Sequence, residues 1–251
     1  MKRTIIIAIT LILTIGTINA YAQLGNIRVS GGLITLKILG DNAAKKPIVE
    51  RDTNKPFIIG GSFDVPQNGL ALNFDISIDE DENFVVPIGI EYYFFSSAER
   101  IPLTRYVTYL YKNKVDMQTF YTGFKYKFFK FPVANAKAYI EAKFTANFVN
   151  SGDFTVHQRR YNQKDTTLVF PSKDAATRFG GNIKIGFEGE LLDPLYIDSG
   201  VSWGVINYLG RDDTHTDDGG RGELLTPLTN FETTESLVQT LNFFLSIKYR
   251  L

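Results

Sequence analysis

The sequence predicts an all-β protein: a transmembrane, antiparallel up-and-down β-barrel of eight strands, with ten as the alternative count. Most of the chain is a series of segments in which apolar and polar residues alternate with a period of two. That is the period of a strand whose two faces meet different surroundings. Short and long polar connections alternate between the segments. Beyond residue 22 there is no apolar run of the ~18 residues that a spanning helix needs, so a membrane-spanning form has to be a closed barrel.

Composition narrows the field. The chain has 251 residues, enough for one barrel domain, and is 44% hydrophobic. That content fits neither a disordered chain nor a helical membrane bundle. Aromatic content is 14%, with 20 Phe and 13 Tyr. The formal net charge of 0 gives no reason to expect nucleic acid. There is no cysteine, which removes lipid anchoring at a cleavage-site cysteine, disulfides, thiolate metal sites and cysteine nucleophiles.

Residues 1–22 read as a secretory signal peptide. Lys2 and Arg3 supply the positive start, Ile5 to Ile15 an apolar stretch broken only by Thr10 and Thr14, and Ala20-Tyr21-Ala22 a small-x-small cleavage site. The mature domain is then 23–251. With Lys2 and Arg3 removed from 27 bases against 27 acids, its charge is 25 − 27 = −2.

The elements follow in order. Asn26 to Leu39 is strand-like with a kink at Gly31-Gly32. Phe57 to Val65 is β-prone and stops at Pro66; it is either the outer half of the second strand or a strand of its own. From Gly69 to Ile78, Leu70, Leu72, Phe74, Ile76 and Ile78 share one face and Asn73 and Asp75 the other. Phe84 to Phe94 alternates with Gly89 and Glu91, and Phe120 to Phe128 with Gly123, Lys125 and Lys127. Ala138 to Phe148 alternates with Glu141, Lys143, Thr145 and Asn147. Phe179 to Phe187 alternates with Arg178, Asn182, Lys184 and Glu188, and Leu195 to Val205 with Asp198, Ser202 and Gly204. Leu241 to Leu251 alternates with Asn242, Ser246, Lys248 and Arg250, and the chain is expected to end inside this strand. Asp79 to Asn83, Phe131 to Ala136 and Leu191 to Pro194 read as short turns; Gly40 to Pro56, Ala98 to Gln118, Ser151 to Ala176 and Gly210 to Ser236 read as long outer loops.

Periodicity alone does not separate this barrel from a water-soluble one with an apolar core. Three other features do. Aromatics cluster near segment ends, at Tyr92 to Phe95, Phe128 to Phe131 and Tyr249, where girdles at a lipid boundary belong. Glycines 89, 123, 180, 186, 200 and 204 recur on the polar face, which suits a crowded narrow interior. The last segment finishes on an apolar Leu251.

On these features the chain resembles the small outer-membrane β-barrels typified by the OmpA transmembrane domain and OmpX. The resemblance rests on the signal peptide, the alternating strands, the loop alternation and the terminal strand Leu237 to Leu251, and is expected to extend to no peptidoglycan-binding domain. It departs from the family's usual terminal aromatic in ending on Leu251, with Tyr249 two residues earlier. It implies location in the outer membrane, contact with outer-membrane lipid, insertion by the barrel assembly machinery through the C-terminal strand, a monomer, and an extracellular ligand of the long loops as a candidate partner.

No cluster of residues compels a chemistry. The two histidines, His157 and His215, fall in segments read as outer loops. The run Arg211-Asp212-Asp213-Thr214-His215-Thr216-Asp217-Asp218 has the content of an aspartyl-type outer-membrane protease or of a cation site, and also of a plain solvated loop. Protease sites of that type draw on separated strands, which favours the plain loop. A barrel ester hydrolase needs a serine beside a histidine, and Ser202 and Ser246 point into the lumen away from both histidines. No catalytic, cofactor-binding or metal residues are therefore assigned. About eight strands enclose a space that side chains fill. The expected function is thus a non-enzymatic barrel with a filled lumen, serving envelope integrity or surface binding, with a narrow porin-like channel as the alternative and a barrel hydrolase third.

Overall fold

The computed structural model describes residues 27–49, 60–132, 135–170, 174–212, 223–227 and 235–251. Its strands are β1 (Ile27–Ile38), β2 (Gln67–Ser77), β3 (Phe84–Thr104), β4 (Val107–Lys130), β5 (Lys137–Val149), β6 (Asp153–Arg160), β7 (Thr166–Phe170), β8 (Ala176–Leu192), β9 (Leu195–Leu209) and β10 (Gln239–Arg250). Every pairing is antiparallel. Eight strands close a ring in the order β1-β2-β3-β4-β5-β8-β9-β10, with β10 pairing back onto β1. β6 and β7 stand outside it: β6 continues β5 along the far half of β4, and β7 pairs with β6. Among the described residues the ring therefore has the predicted eight strands, and this extension brings the count to ten.

The period-two pattern resolves into an apolar outside and a polar inside. Leu70, Leu72, Phe74, Phe84, Ile88, Ile90, Phe120, Phe124, Ile183, Trp203, Phe243 and Ile247 are exposed on the wall. Between them, Asp75, Glu91, Lys125, Glu141, Lys184, Glu188, Asp198 and Lys248 are buried. On β3 the outward apolar run goes from Phe84 to Phe94. Ten steps of ~3.3 Å, inclined by ~40°, give a band about 25 Å tall, the height found on outer-membrane barrels.

Two segments read from the sequence as long outer loops are largely strand. β3 and β4 run on beyond the apolar band and turn only at Arg105-Tyr106, so most of Ala98 to Gln118 is a hairpin. Ser151 to Ala176 contains β6 and β7. The alternation continues there, but beyond the apolar band the outward face is no longer apolar, and the polar content disguised the strands. His157 accordingly lies on β6, bonded through Nδ1 to Thr167 Oγ1 at 2.8 Å, and not in a loop. One face of this extension of the sheet is covered by Ile48 and Val49, which pack on Phe154, Val156, Ile101, Tyr109 and Tyr111.

Further corrections concern local detail. Residues 60–65 form no strand, and Phe63 is buried; the rest of Phe57 to Val65 lies outside the described residues. Of the aromatics assigned to a girdle, Tyr93 and Phe95 point inward, whereas Phe94 and Tyr249 are exposed. The signal segment 1–22 lies outside the described residues.

Neighbouring residues on β5 test the assignment of faces. Phe144 is 54% exposed on the wall and Lys143 9% exposed in the lumen. Phe144→Arg should impair assembly by about 2–4 kcal/mol, the cost of Arg on a lipid face near mid-depth, whereas Lys143→Arg should be tolerated beside Glu91. In a chain without native cysteine, a thiol label at 144 should be quenched by a lipid-phase quencher and a label at 143 spared. Equal quenching at both positions would refute the inside-out wall.

Candidate functional site

The polar face of each strand delivers its charges to one shared lumen. Lys248 on β10 is the hub: its ammonium lies 2.7 Å from Asp75, 2.6 Å from Glu188 and 2.7 Å from Asp198. An ammonium has three N–H donors, and all three are used. Lys125 reaches Asp75 at 2.7 Å and Glu141 at 3.6 Å, and Lys127 reaches Glu188 at 2.6 Å. Lys143 pairs with Glu91 at 3.0 Å and Glu141 at 3.5 Å. Lys184 sits between Glu141 at 3.7 Å and Asp198 at 3.8 Å. At the end near the short turns, Arg28 pairs with Glu188 and with Glu82 of the β2–β3 turn. The cations Arg28, Lys125, Lys127, Lys143, Lys184 and Lys248 thus face Asp75, Glu82, Glu91, Glu141, Glu188 and Asp198, six against six. Buried charges are tolerated when each is paired and hydrogen-bonded.

Inward tyrosines fill the space between these charges. Tyr139 donates its hydroxyl to Asp198 at 2.5 Å and lies 4.7 Å from the Lys125 ammonium; Tyr93 donates to Glu91 at 2.7 Å. Lys143 stands 3.7 Å over the ring of Tyr121. Two glycines make room for these rings. Gly89 is the cross-strand partner of Tyr121 and Gly186 that of Tyr139, and a Cβ on either glycine would collide with the tyrosine hydroxyl.

Above the charges the lumen changes character. Thr119, Thr145, Asn147 and Asn242 form a neutral polar layer, in which Thr119 donates to Asn147 at 2.7 Å. Two small cavities lie among these side chains, of ≈ 30 Å³ beside Lys143, Lys184 and Asn242 and ≈ 20 Å³ beside Thr145 and Asn182, room for about one or two waters each. Beyond this layer lies an apolar plug of Leu36, Ile38, Tyr93, Phe95, Met117, Val149 and Ile206 from the wall, with Ala44, Phe63, Leu224, Leu225 and Val238 from connecting segments. Phe63 meets Phe95 edge-on at 5.4 Å, and Ser97 and Asn113 both donate to the Gly61 carbonyl, at 2.6 and 3.3 Å. Asn42 donates to Ser236 at 2.9 Å and to Leu237 at 3.1 Å, tying the first connection to the last. Arg178 closes the rim on Glu235 at 2.5 Å and Asp212 at 2.9 Å.

Most charges assigned to the lumen from sequence are there. Arg250 is not: it pairs with Asp193 at 2.6 Å at the exposed turn end. Arg28 was missed because β1 alternates less regularly. The inward tyrosines and the plug were missed too, although Phe63 and Leu224-Leu225 stand out as apolar within polar connections. Ser202 and Ser246 line the ≈ 30 Å³ cavity, while His157 lies on β6, paired with the far half of β4. Of the run Arg211 to Asp218, Arg211 and Asp212 are engaged with Glu235 and Arg178; residues 213–218, with His215, lie outside the described residues.

These features define a closed antiparallel β-barrel, apolar outside and charged within. No protein-family model matches the chain, and no curated protein does. Among solved structures it is similar to neisserial surface protein A, at a TM-score of 0.48 and 10% identity, over 90% of this chain and 97% of that one. It is similar to Ail, the attachment invasion locus protein of Yersinia pestis, solved with the heparin analogue sucrose octasulfate, at 0.42 and 10%, over 90% and 97%. It is also similar to the outer membrane protein AlkL in lipid bilayers, at 0.35 and 13%, over 90% and 89%.

Removing the hub should be costly. Lys248→Met leaves Asp75, Glu188 and Asp198 facing one another and should destabilise the barrel by about 3–5 kcal/mol, read as a lower denaturant midpoint in detergent. Combining it with Asp198→Asn should recover part of the loss. Lys130→Met, on an exposed position, should change little. A Lys248→Met barrel as stable as the parent would show that the cluster is not coupled.

Proposed function

We propose that residues 1–22 direct export and are removed, and that the mature chain stands in an outer membrane as a monomeric, non-enzymatic barrel of the OmpA and OmpX type. Its lumen is closed, and its work is done at the surface by the sheet formed by the outer halves of β3 and β4 with β6 and β7. The terminal strand β10, with outward Phe243, Leu245, Ile247 and Tyr249, is the segment offered to the assembly machinery.

The observation that carries this reading is the filling of the lumen: a balanced ion-pair network below and an apolar plug above, with cavities of ≈ 30 and ≈ 20 Å³ between them. A hydrated ion entering would have to separate pairs such as Lys125–Asp75 and then pass side chains of Leu36, Met117 and Ile206. The length of the outer hairpin supports the surface role. β4 has 24 residues, about 60 Å of height at ~3.3 Å per residue and ~40° tilt, well above what a ~25 Å apolar band requires.

Planar-bilayer recording of the refolded protein tests the closed lumen. The expected trace is baseline, with no stable open level. A persistent conductance that Phe63→Ala increases would favour the narrow-channel alternative, with the plug as its gate.

A further inference from the structure

The wall between β8 and β9 has a dent. Phe179 pairs with Leu209 and Gly181 with Val205, so two steps of β8 are matched against four of β9. The two extra β9 residues, Ile206 and Asn207, are both buried. Ile206 joins the apolar plug, and Asn207 donates to Glu235 at 2.7 Å and to the Ser236 carbonyl at 2.8 Å. The bulge thus anchors the last connection inside the mouth. The outer surface loses side-chain cover at that place, and the β8 residues beside it, Gly180 and Gly181, have none to offer. The result is an outward recess of ≈ 380 Å³ with Phe144, Phe179, Trp203, Val205, Tyr208 and Leu209 on its walls. Phe144 and Phe179 stack at 6.1 Å and 14°. Two residues beyond Leu209, past Gly210 at φ +80°, Arg211 is exposed, with its Nη1 donating to the Glu235 carbonyl at 3.3 Å and its charge not paired to a carboxylate by that contact.

We propose that this recess is a lipid-binding site: it seats one acyl chain of an anionic membrane lipid, whose headgroup phosphate lies at Arg211. The inference rests on the reading that this wall faces lipid. A recess of this volume, comparable to small-molecule pockets, is lined almost wholly by carbon. Left void in a bilayer, its walls would forfeit their dispersion contacts, and the abundant apolar filler at that depth is a lipid chain. Elsewhere the wall carries a large side chain at most alternate positions, so a chain there is only an annular neighbour. Arg211 follows the last outward apolar residue of β9, Leu209, by two positions, and in the proposal it supplies the charge that selects an anionic head.

The only tryptophan of the chain, Trp203, lines the recess and reports on it directly. The full chain would be reconstituted in phosphatidylcholine vesicles doped with chain-brominated phosphatidylglycerol or chain-brominated phosphatidylcholine. Its fluorescence would be compared with that of a Phe74→Trp, Trp203→Phe variant, which reports on the wall at β2. Trp203 should reach half-quenching at a several-fold lower fraction of brominated phosphatidylglycerol than the β2 reporter. Gly181→Leu, or Val205→Phe filling from the facing strand, should bring Trp203 to the annular value. Arg211→Gln should reduce the preference for phosphatidylglycerol by about fivefold, the effect of one surface cation. Identical half-quenching at the two sites, or indifference to both filling substitutions, would overturn the site. An Arg211→Gln protein with its lipid preference intact would overturn the headgroup assignment. Displacement of the brominated lipid by toluene at millimolar concentration would give the recess to a free hydrocarbon instead. Quenching at neither tryptophan would refute the membrane reading itself, and the proposal with it.

Discussion

The structure depends on one constraint: a wall that is apolar outside can hold charges only inside, and inside they must be paired. Lys248 meets that constraint three times over, against Asp75, Glu188 and Asp198. Those acids come from β2, β8 and β9, so the hub draws distant parts of the ring onto one point. The same charges fix register. A one-residue slip of any strand would turn its lysines and glutamates into lipid and its phenylalanines into the lumen, at a cost of up to about 2–4 kcal/mol for each misplaced base near mid-depth. An apolar lumen would supply no such penalty. The polar interior therefore specifies which way round the barrel closes, beyond what its pairs add to stability.

Space imposes the second condition. An eight-stranded ring has little room, and six cations with six carboxylates do not pack like hydrocarbon. Tyrosines solve this by filling volume with a ring while offering a hydroxyl to a carboxylate, as Tyr139 does for Asp198 and Tyr93 for Glu91. Gly89 and Gly186, the register partners of Tyr121 and Tyr139 on neighbouring strands, pair small with large along the inner wall. Beyond Asn147 the connecting segments bring Phe63, Leu224 and Leu225 down as a plug, and Arg178 with Glu235 and Asp212 holds the rim. Among the described residues the lumen is thus filled at two levels, by ion pairs within the wall and by apolar packing towards the mouth.

How far this was legible in the sequence follows from where the two-faced environment holds. From Leu70 to Ile78, Phe84 to Phe94, Phe120 to Phe128 and Ala138 to Phe148, an apolar outer face and a polar lumen force strict alternation, and strands and faces could be read directly. Outside the membrane that contrast vanishes. The hairpin from Ser96 to Asp116 keeps its strand geometry while Arg100, Lys112 and Lys114 make it look like a loop. Arg28 hid behind the glycine pair in β1. The plug could not be read because Phe63 is brought to Phe95 by tertiary packing, and no period relates the two. The β9 bulge is invisible in the same way: Ile206 and Asn207 break the alternation by two residues and so leave its phase unchanged.

The central claim is that this chain closes into a membrane-embedded barrel with every edge paired within the ring. It is tested most directly by the gel mobility of the protein from the membrane fraction, with and without boiling in detergent. Closed barrels resist detergent until heated, because no ring edge is left for unfolding to begin from. The unboiled protein should migrate as a compact species distinct from the boiled one. Identical migration of the two samples, with full solubility in the absence of detergent, would contradict the claim.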